Sequence, residues 1–336
     1  MEKAMSLHAN NLSSAINWNF QTTDIGQLFK LPSAIGKSVP VFENDLLVQK
    51  ITPNYHFDVD MVRSILAFLF AENHGDGLMF YGPHGCGKTS LIREVLGRLH
   101  WPTLMLSWNE TSDTADLIGR VGISFGNTEF EYGPLALAAK NGYALVINEI
   151  DRGRAGNLVA LNDILDGGKL LIKETGEVIT PHKNFRLICT ANSAGSGDLT
   201  GAYTGSVRKL DPAFLDRFAM LEVSYMDHQT ETDLMLLQFP DFQAASAEFV
   251  SRMCAFAAET RAKCHDVAEA LNSPLSTRAL TRFFRYGLSF GLHRKIDHGT
   301  PCEETVMNAL NLAYLSRLSP EEREVATNIL KLNIGF

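Results

Sequence analysis

The amino-acid sequence predicts an α/β fold: a mostly parallel sheet covered by helices on both faces, followed by a separate helical domain. Three observations predict it. Apolar runs of strand length alternate with helical stretches between residues 41 and 225, and from about His228 the pattern changes to helical periods. In addition, a glycine-rich loop stands between the first buried apolar run and a helical stretch. The chain has 336 residues, 45% hydrophobic and 20% charged, which is ample for one large domain or two smaller ones.

Taken in order, residues 1–40 are polar and mixed and end in the turn-prone LPSAIGKSVP stretch, which predicts a loosely attached N-terminal extension. Residues 41–227 form the predicted sheet domain. Its runs at 78–81 (LMFY), 103–106 (TLML), 144–147 (ALVI), 186–189 (RLIC) and 220–223 (MLEV) have the length and continuity of strands buried on both faces. Residues 228–336 form the helical domain, with helical periods over 232–237, 249–270 and 278–290. Two hairpins are expected inside the sheet domain. One spans 123–130 with a Gly126-Asn127 turn, the other 169–180 with a Thr175-Gly176 turn.

Composition excludes several classes. The densest apolar stretch, residues 62–70 (VRSILAFLF), is too short for a membrane span, and the N-terminus lacks the ordered parts of a secretory signal, so a cytoplasmic location is expected. The five cysteines, Cys86, Cys189, Cys254, Cys264 and Cys302, form no CxxC pair and fit a reducing compartment. A formal net charge of −8 does not suggest a surface that neutralises phosphate backbones, which makes nucleic acid an unlikely partner.

The segment Gly82-Pro83-His84-Gly85-Cys86-Gly87-Lys88-Thr89-Ser90 fits the phosphate-loop pattern GxxxxGK[ST], with a strand before it and a helix after it. Glycines let backbone N–H groups close on phosphate oxygens, and the helix adds its positive N-terminal dipole. Lys88 is placed to reach the β and γ phosphates of ATP, and Thr89 to ligate Mg²⁺. Cys86 lies within the loop and is small enough to fit there.

Further on, the run ALVI leads into Asn148-Glu149-Ile150-Asp151. Ligand chemistry collects at the carboxyl ends of such strands, so Glu149 is the candidate to orient and deprotonate the attacking water. The plain alternative is a helix cap. The strand at 185–190 ends in Ala191-Asn192, and the Asn192 amide is suited to hold that water against the γ-phosphate. Arg217 in LDRF and Arg278 in STRAL are lone arginines in apolar settings, and each has the alternative reading of a surface residue paired with a nearby carboxylate.

In their order and spacing these motifs resemble those of AAA+ ATPases, in the branch of MoxR proteins and the CobS subunit of cobaltochelatase. The resemblance covers roughly residues 38–290. It includes PVFENDLLVQKITPNYHFD before the loop, Asp116-Leu117-Ile118-Gly119, Glu131-Tyr132-Gly133-Pro134-Leu135 and residues 192–203. It implies a P-loop NTPase αβα sandwich with a parallel five-stranded core sheet and an α-helical lid. It implies Asn192 as sensor 1, Arg217 as an arginine finger offered to a neighbouring subunit, and Arg278 as sensor 2. The implied assembly is a ring, commonly a hexamer, acting on a partner protein, with a von Willebrand A domain protein as one candidate. The two hairpins would look toward the pore or the partner, with Phe125 and Phe130 as gripping candidates, although an aromatic on a half-buried hairpin has core packing as its plain reading.

One position departs from the family pattern. Asn148 stands where an aspartate is usual, so it can serve the metal site beside Thr89 only as a neutral oxygen. A unit charge about 5 Å from the metal at an effective dielectric of about 20 contributes on the order of 3 kcal/mol, so weaker Mg²⁺ binding and slow turnover are expected unless Asp151 supplies the charge.

Three alternatives stand beside the remodelling ATPase. A cobaltochelatase motor has no residue here that reads as a metal or tetrapyrrole ligand; His182, His228, His265 and His293 are scattered. A scaffold that binds ATP without turnover is favoured by Asn148 alone. A DNA-linked motor has only the basic cluster Arg278, Arg282, Arg285, Arg294 and Lys295, which a solvated helix face also explains.

Overall fold

The structure is a computed structural model that describes residues 16–72, 75–124, 127–197, 207–264, 271–297 and 300–336. They fall into two compact units. The first lies within residues 1–82, 88–197 and 206–222, and the second within 83–87, 198–205 and 223–336.

In the first unit an antiparallel pair, β1 (Phe20–Asp24) and β2 (Ser38–Phe42), precedes helix α1 (Val59–Phe70). The main sheet follows with β3 (Gly77–Tyr81), β4 (Thr103–Ser107), β7 (Ala144–Asn148), β10 (Arg186–Ala191) and β11 (Phe218–Glu222), in the spatial order β11-β3-β10-β7-β4. All four pairings are parallel. Ala144, Leu145, Val146 and Ile147 of β7 are fully buried, as expected of a strand covered on both faces. Helices α2 (Lys88–Arg98) and α3 (Pro134–Asn141) connect the strands. This is the P-loop NTPase fold that the motifs imply, and each expected strand is present to within about two residues.

Of residues 1–40, where composition predicts a loose extension, the described part from residue 16 onward is packed instead, together with Phe42. Trp18 meets Phe42 edge-on at 4.9 Å, Phe42 meets Trp101 at 5.0 Å, and Phe29 and Val39 are buried. A few large aromatics spaced through polar sequence supply that packing, and they leave no periodicity to read.

The hairpin β5 (Gly119–Ser124) and β6 (Asn127–Tyr132) is longer than expected. Ser124 pairs with Asn127, which places Asn127 in β6, and Gly126 of the expected Gly126-Asn127 turn lies outside the described residues. Phe125 lies outside the described residues. Phe130 packs on the core of the first unit and edge-on to Tyr132 at 5.3 Å, which is the core reading of that aromatic. The second hairpin, β8 (Leu170–Leu171) and β9 (Val178–Ile179), buries Leu170 and Ile179 and exposes Leu171 and Val178, as strand alternation requires.

The second unit is helical: α4 (His228–Gln238), α5 (Pro240–Lys263), α6 (Thr277–Ser289), α7 (Glu303–Ala313) and α8 (Pro320–Ile334) enclose Met235, Phe242, Phe249, Phe256, Phe283 and Leu310. Helix α5 breaks at Ser246 (φ −168°, ψ 103°), whose hydroxyl then accepts from the Phe249 N–H at 3.1 Å and caps the second stretch. Among the described residues no helix is long and apolar enough to cross a membrane.

Candidate functional site

The phosphate loop runs from the C-terminal end of β3 into α2. Gly82, Gly85 and Gly87 have φ of 143°, 77° and 110°, the region that favours glycine, so the loop cannot form with side chains at these positions without strain. Gly82 and Cys86 are buried, Pro83, Gly85, Gly87 and Thr89 half-buried, and His84 and Ser90 exposed. Lys88, only 8% exposed, donates to the Gly82 carbonyl at 2.7 Å and so lies folded across the loop.

Thr89 donates its hydroxyl to Asn148 Oδ1 at 2.9 Å. The two residues proposed for the metal from opposite ends of the motif set are therefore in contact. Mg²⁺ is a hard cation that takes oxygen ligands, and this pair presents two oxygens side by side, which fits it. Among the described residues no group of three or more His, Cys, Asp or Glu could hold a metal alone, so the remaining ligands would come from nucleotide phosphates and water. Asn148 keeps the hydrogen-bonding half of the usual carboxylate's part and lacks its charge. Its other end is also committed: Nδ2 donates to the Leu106 carbonyl of β4 at 3.2 Å.

That contact gives Asn148→Asp a mixed outcome. The new charge should lower the Mg²⁺ concentration for half-maximal ATPase activity. The lost amide donor leaves the Leu106 carbonyl facing a carboxylate oxygen, which should destabilise the fold by about 1–3 kcal/mol. A Mg²⁺ titration beside a thermal melt checks both parts. An unchanged Mg²⁺ requirement would mean that the neutral side chain does not limit the metal.

Glu149 follows β7 in the left-handed region, with φ 56° and ψ 44°, a conformation uncommon outside glycine that concentrates at functional sites. Its N–H donates to Thr190 Oγ1 at 3.0 Å, which fixes the turn, and its carboxylate lies 3.1 Å from Arg152 Nε with the side chain about one-third exposed (34%). The chain after Glu149 forms a short 3-10 turn, Ile150–Arg152, so the helix-cap alternative is present in form; yet the Glu149 side chain caps nothing there.

Asp151 is fully buried, and its Oδ2 accepts the Asn192 backbone N–H at 2.7 Å. Burial raises its pKa above the usual carboxylate range, while the Asn192 N–H and the Lys88 ammonium act in the opposite direction. Asp151 therefore holds the Asn192 loop in place, which differs from the part of substitute charge for the metal. Asn192 itself is 8% exposed, and its Nδ2 is buried with no hydrogen-bond partner. An orphaned donor of this kind costs free energy in the absence of a partner, and a phosphate oxygen or water would satisfy it.

Lys88, Thr89, Asn148, Glu149 and Asn192 thus converge at the carboxyl ends of the adjacent strands β3, β7 and β10, with Thr190 and Asp151 as struts between them. The sequence did not single out Thr190 or Arg152 and gave Asp151 a different part: Thr190 and Asp151 act across strands, whereas Arg152 reaches Glu149 from within the same turn. A polar residue at the end of an otherwise apolar strand is the signal that marks Thr190.

Arg217 is elsewhere. It makes a two-pronged pair with Asp166, Nε to Oδ1 at 2.6 Å and Nη2 to Oδ2 at 2.9 Å, and donates to the Ala213 carbonyl at 2.6 Å. This is the paired-surface-residue alternative in form. Arg217 precedes β11, whose Phe218 pairs in parallel with Gly77, so Arg217 stands at the amino-terminal end of the strands, opposite the end from which the phosphate loop leaves. Arg278 belongs to the second unit, in the first turn of α6, where its Nη1 lies 3.5 Å from the His84 imidazole Nε2.

The parallel sheet, its phosphate loop and the polar strand ends define a protein of the P-loop NTPase class. Residues 77–218 match the family model described as AAA domain (dynein-related subfamily). The chain is 31% identical over 303 residues to the aerobic cobaltochelatase subunit CobS of Sinorhizobium sp, covering 87% of this chain and 90% of that protein. It is 25% identical over 238 residues to protein CbbQ of Hydrogenophilus thermoluteolus, covering 70% and 82%. Among solved structures, a point mutant of Thermotoga maritima RuvB superimposes with a TM-score of 0.51 at 14% identity, over 86% of this chain and 82% of that one, a likeness of fold. The chain belongs to the MoxR/CobS-like family of AAA+ ATPases.

Proposed function

We propose that this protein binds and hydrolyses Mg-ATP in a ring, of six subunits as the family likeness suggests, and uses the cycle to remodel or activate a partner protein, for which a von Willebrand A domain protein is a candidate. The observation that carries the reading is the convergence of Lys88, Thr89, Asn148, Glu149 and Asn192 at three adjacent strand ends. Lys88 and the loop N–H groups would bind phosphates, and Thr89 with Asn148 would hold Mg²⁺. The metal, when bound, neutralises charge on the phosphate oxygens. Glu149 would take the proton of the attacking water, and Asn192 would orient that water through its unpartnered Nδ2.

The Arg152 guanidinium beside Glu149 matters to this chemistry. It lies 3.1 Å from Glu149 Oε2 and so competes with the attacking water for the same carboxylate oxygen. Glu149→Gln should leave ATP binding near the wild-type value and lower turnover by about 10²- to 10⁴-fold. Paired calorimetry and phosphate-release assays check this; undiminished turnover would remove Glu149 from the mechanism.

A chelatase motor is the second reading, supported by the 31% identity to a protein named as a cobaltochelatase subunit. The two readings divide on the partner, since the chelatase requires further subunits and a corrin-type ring as substrate. Stimulation of the ATPase by such a ring would favour it.

A further inference from the structure

Residues 83–87 of the phosphate loop belong to the second unit, and within that unit a buried ion pair is aimed at them. Arg261 of α5 donates to Glu231 of α4 through both terminal nitrogens, at 2.8 and 2.9 Å, with the side chains 8% and 1% exposed. The same guanidinium donates through Nε to the Leu275 carbonyl at 2.9 Å and lies 4.2 Å from the centre of the Tyr225 ring. Glu231 also accepts the Thr277 hydroxyl at 2.6 Å. One pair thus fixes Tyr225 on one side and the 275–277 turn on the other.

Both of these meet the loop. Tyr225 donates its hydroxyl to the His84 carbonyl at 2.7 Å. Ser276, which caps α6, packs so closely that a Cβ on Gly85 would lie 2.7 Å from its side chain. A trans peptide carries its C=O and the next N–H on opposite sides, so pinning the His84 carbonyl also sets the direction of the Gly85 N–H. Arg278 is the residue after Thr277. Replacing a buried ion pair with apolar residues is often neutral or favourable, so this pair is better explained by the geometry it imposes than by stability.

We propose that Glu231, Arg261 and Tyr225 are positioning residues that hold the apex of the phosphate loop, and the start of the helix bearing Arg278, in the geometry that receives ATP. None of the three serves as a phosphate ligand in this proposal. It rests on the ATP-binding reading of the loop and goes beyond it by assigning control of nucleotide affinity to a buried polar network of the helical unit.

Tyr225→Phe keeps the ring beneath Arg261 and removes only the hydroxyl, and Thr277→Val removes one hydrogen bond to Glu231 with little change in shape. Each is expected to weaken ATP binding by about 2- to 10-fold, the equivalent of one net hydrogen bond. In Tyr225→Phe the KM for ATP should rise with kcat held within about twofold and the melting temperature unchanged, since the lost interaction serves ground state and transition state alike. The double variant should lose less than the product of the two single losses, because both act through one ion pair. Calorimetry with ATP on the full chain, with Lys88→Ala as the non-binding control, decides it. Wild-type affinity in both variants, or a loss that only follows a lowered melting temperature, overturns the proposal while the loop assignment stands on its control. A wild-type chain that does not bind ATP overturns both.

Discussion

Lys88→Ala is expected to abolish measurable ATP binding. The Lys88 ammonium is buried and donates to the Gly82 carbonyl at 2.7 Å, which lays it across the loop. A charge-assisted hydrogen bond contributes about 1.5–3 kcal/mol, and a lysine that reaches two phosphates makes at least two, so the dissociation constant should rise by about 10²- to 10⁴-fold. Alanine also removes the cation that, after the backbone N–H groups of Asn192, Asp151 and Ser193, opposes the effect of burial on Asp151. Lys88→Arg should fail as well, because a planar fork does not fit a position with 8% exposure. Calorimetry with Mg²⁺ present is the measurement, and undiminished affinity in Lys88→Ala would refute the phosphate-loop assignment.

What was legible in the sequence is what local pattern controls. Strands buried on both faces must be continuous apolar runs, which is why ALVI at 144–147 could be placed by eye and why its polar end marked Asn148 and Glu149. The loop was legible because only glycine tolerates its backbone angles. Pairings across the chain were not. Asp166 lies 51 residues from Arg217, and Glu231 lies 30 from Arg261, so neither pair leaves a periodic trace. The Asn148 amide is the clearest case. By itself the sequence showed a missing charge, whereas the structure shows an amide that bridges Thr89 and the Leu106 carbonyl of the next strand. The packed segment 16–42 was missed for the opposite reason: Trp18, Phe29 and Phe42 act singly, and composition averages them away.

Arg217→Ala is expected to lower turnover by about 10³-fold or more with little change in ATP affinity, if an arginine finger is its part. The register of the sheet decides where that finger can act. Phe218 pairs with Gly77 at the start of β3, and the phosphate loop begins after Tyr81 at the other end. At about 3.3 Å per strand residue, Arg217 lies on the order of 15 Å from the loop of its own chain, beyond the reach of its side chain. Any action on a γ-phosphate must therefore be on a neighbour's, across a head-to-tail interface of the kind that closes rings. In the single chain the guanidinium is held by Asp166 and the Ala213 carbonyl, an exposed pair that a phosphate at the interface can displace. Arg217→Ala and Glu149→Gln chains, each inactive alone, should then regain part of their activity when mixed. At equal mixing about one interface in four would join an intact Glu149 to an intact Arg217 from the next subunit. Sedimentation with ATP and phosphate release from the mixture are the measurements. A chain that stays monomeric with ATP, and that turns it over equally well without Arg217, would return this arginine to the plain reading of a surface residue paired with Asp166.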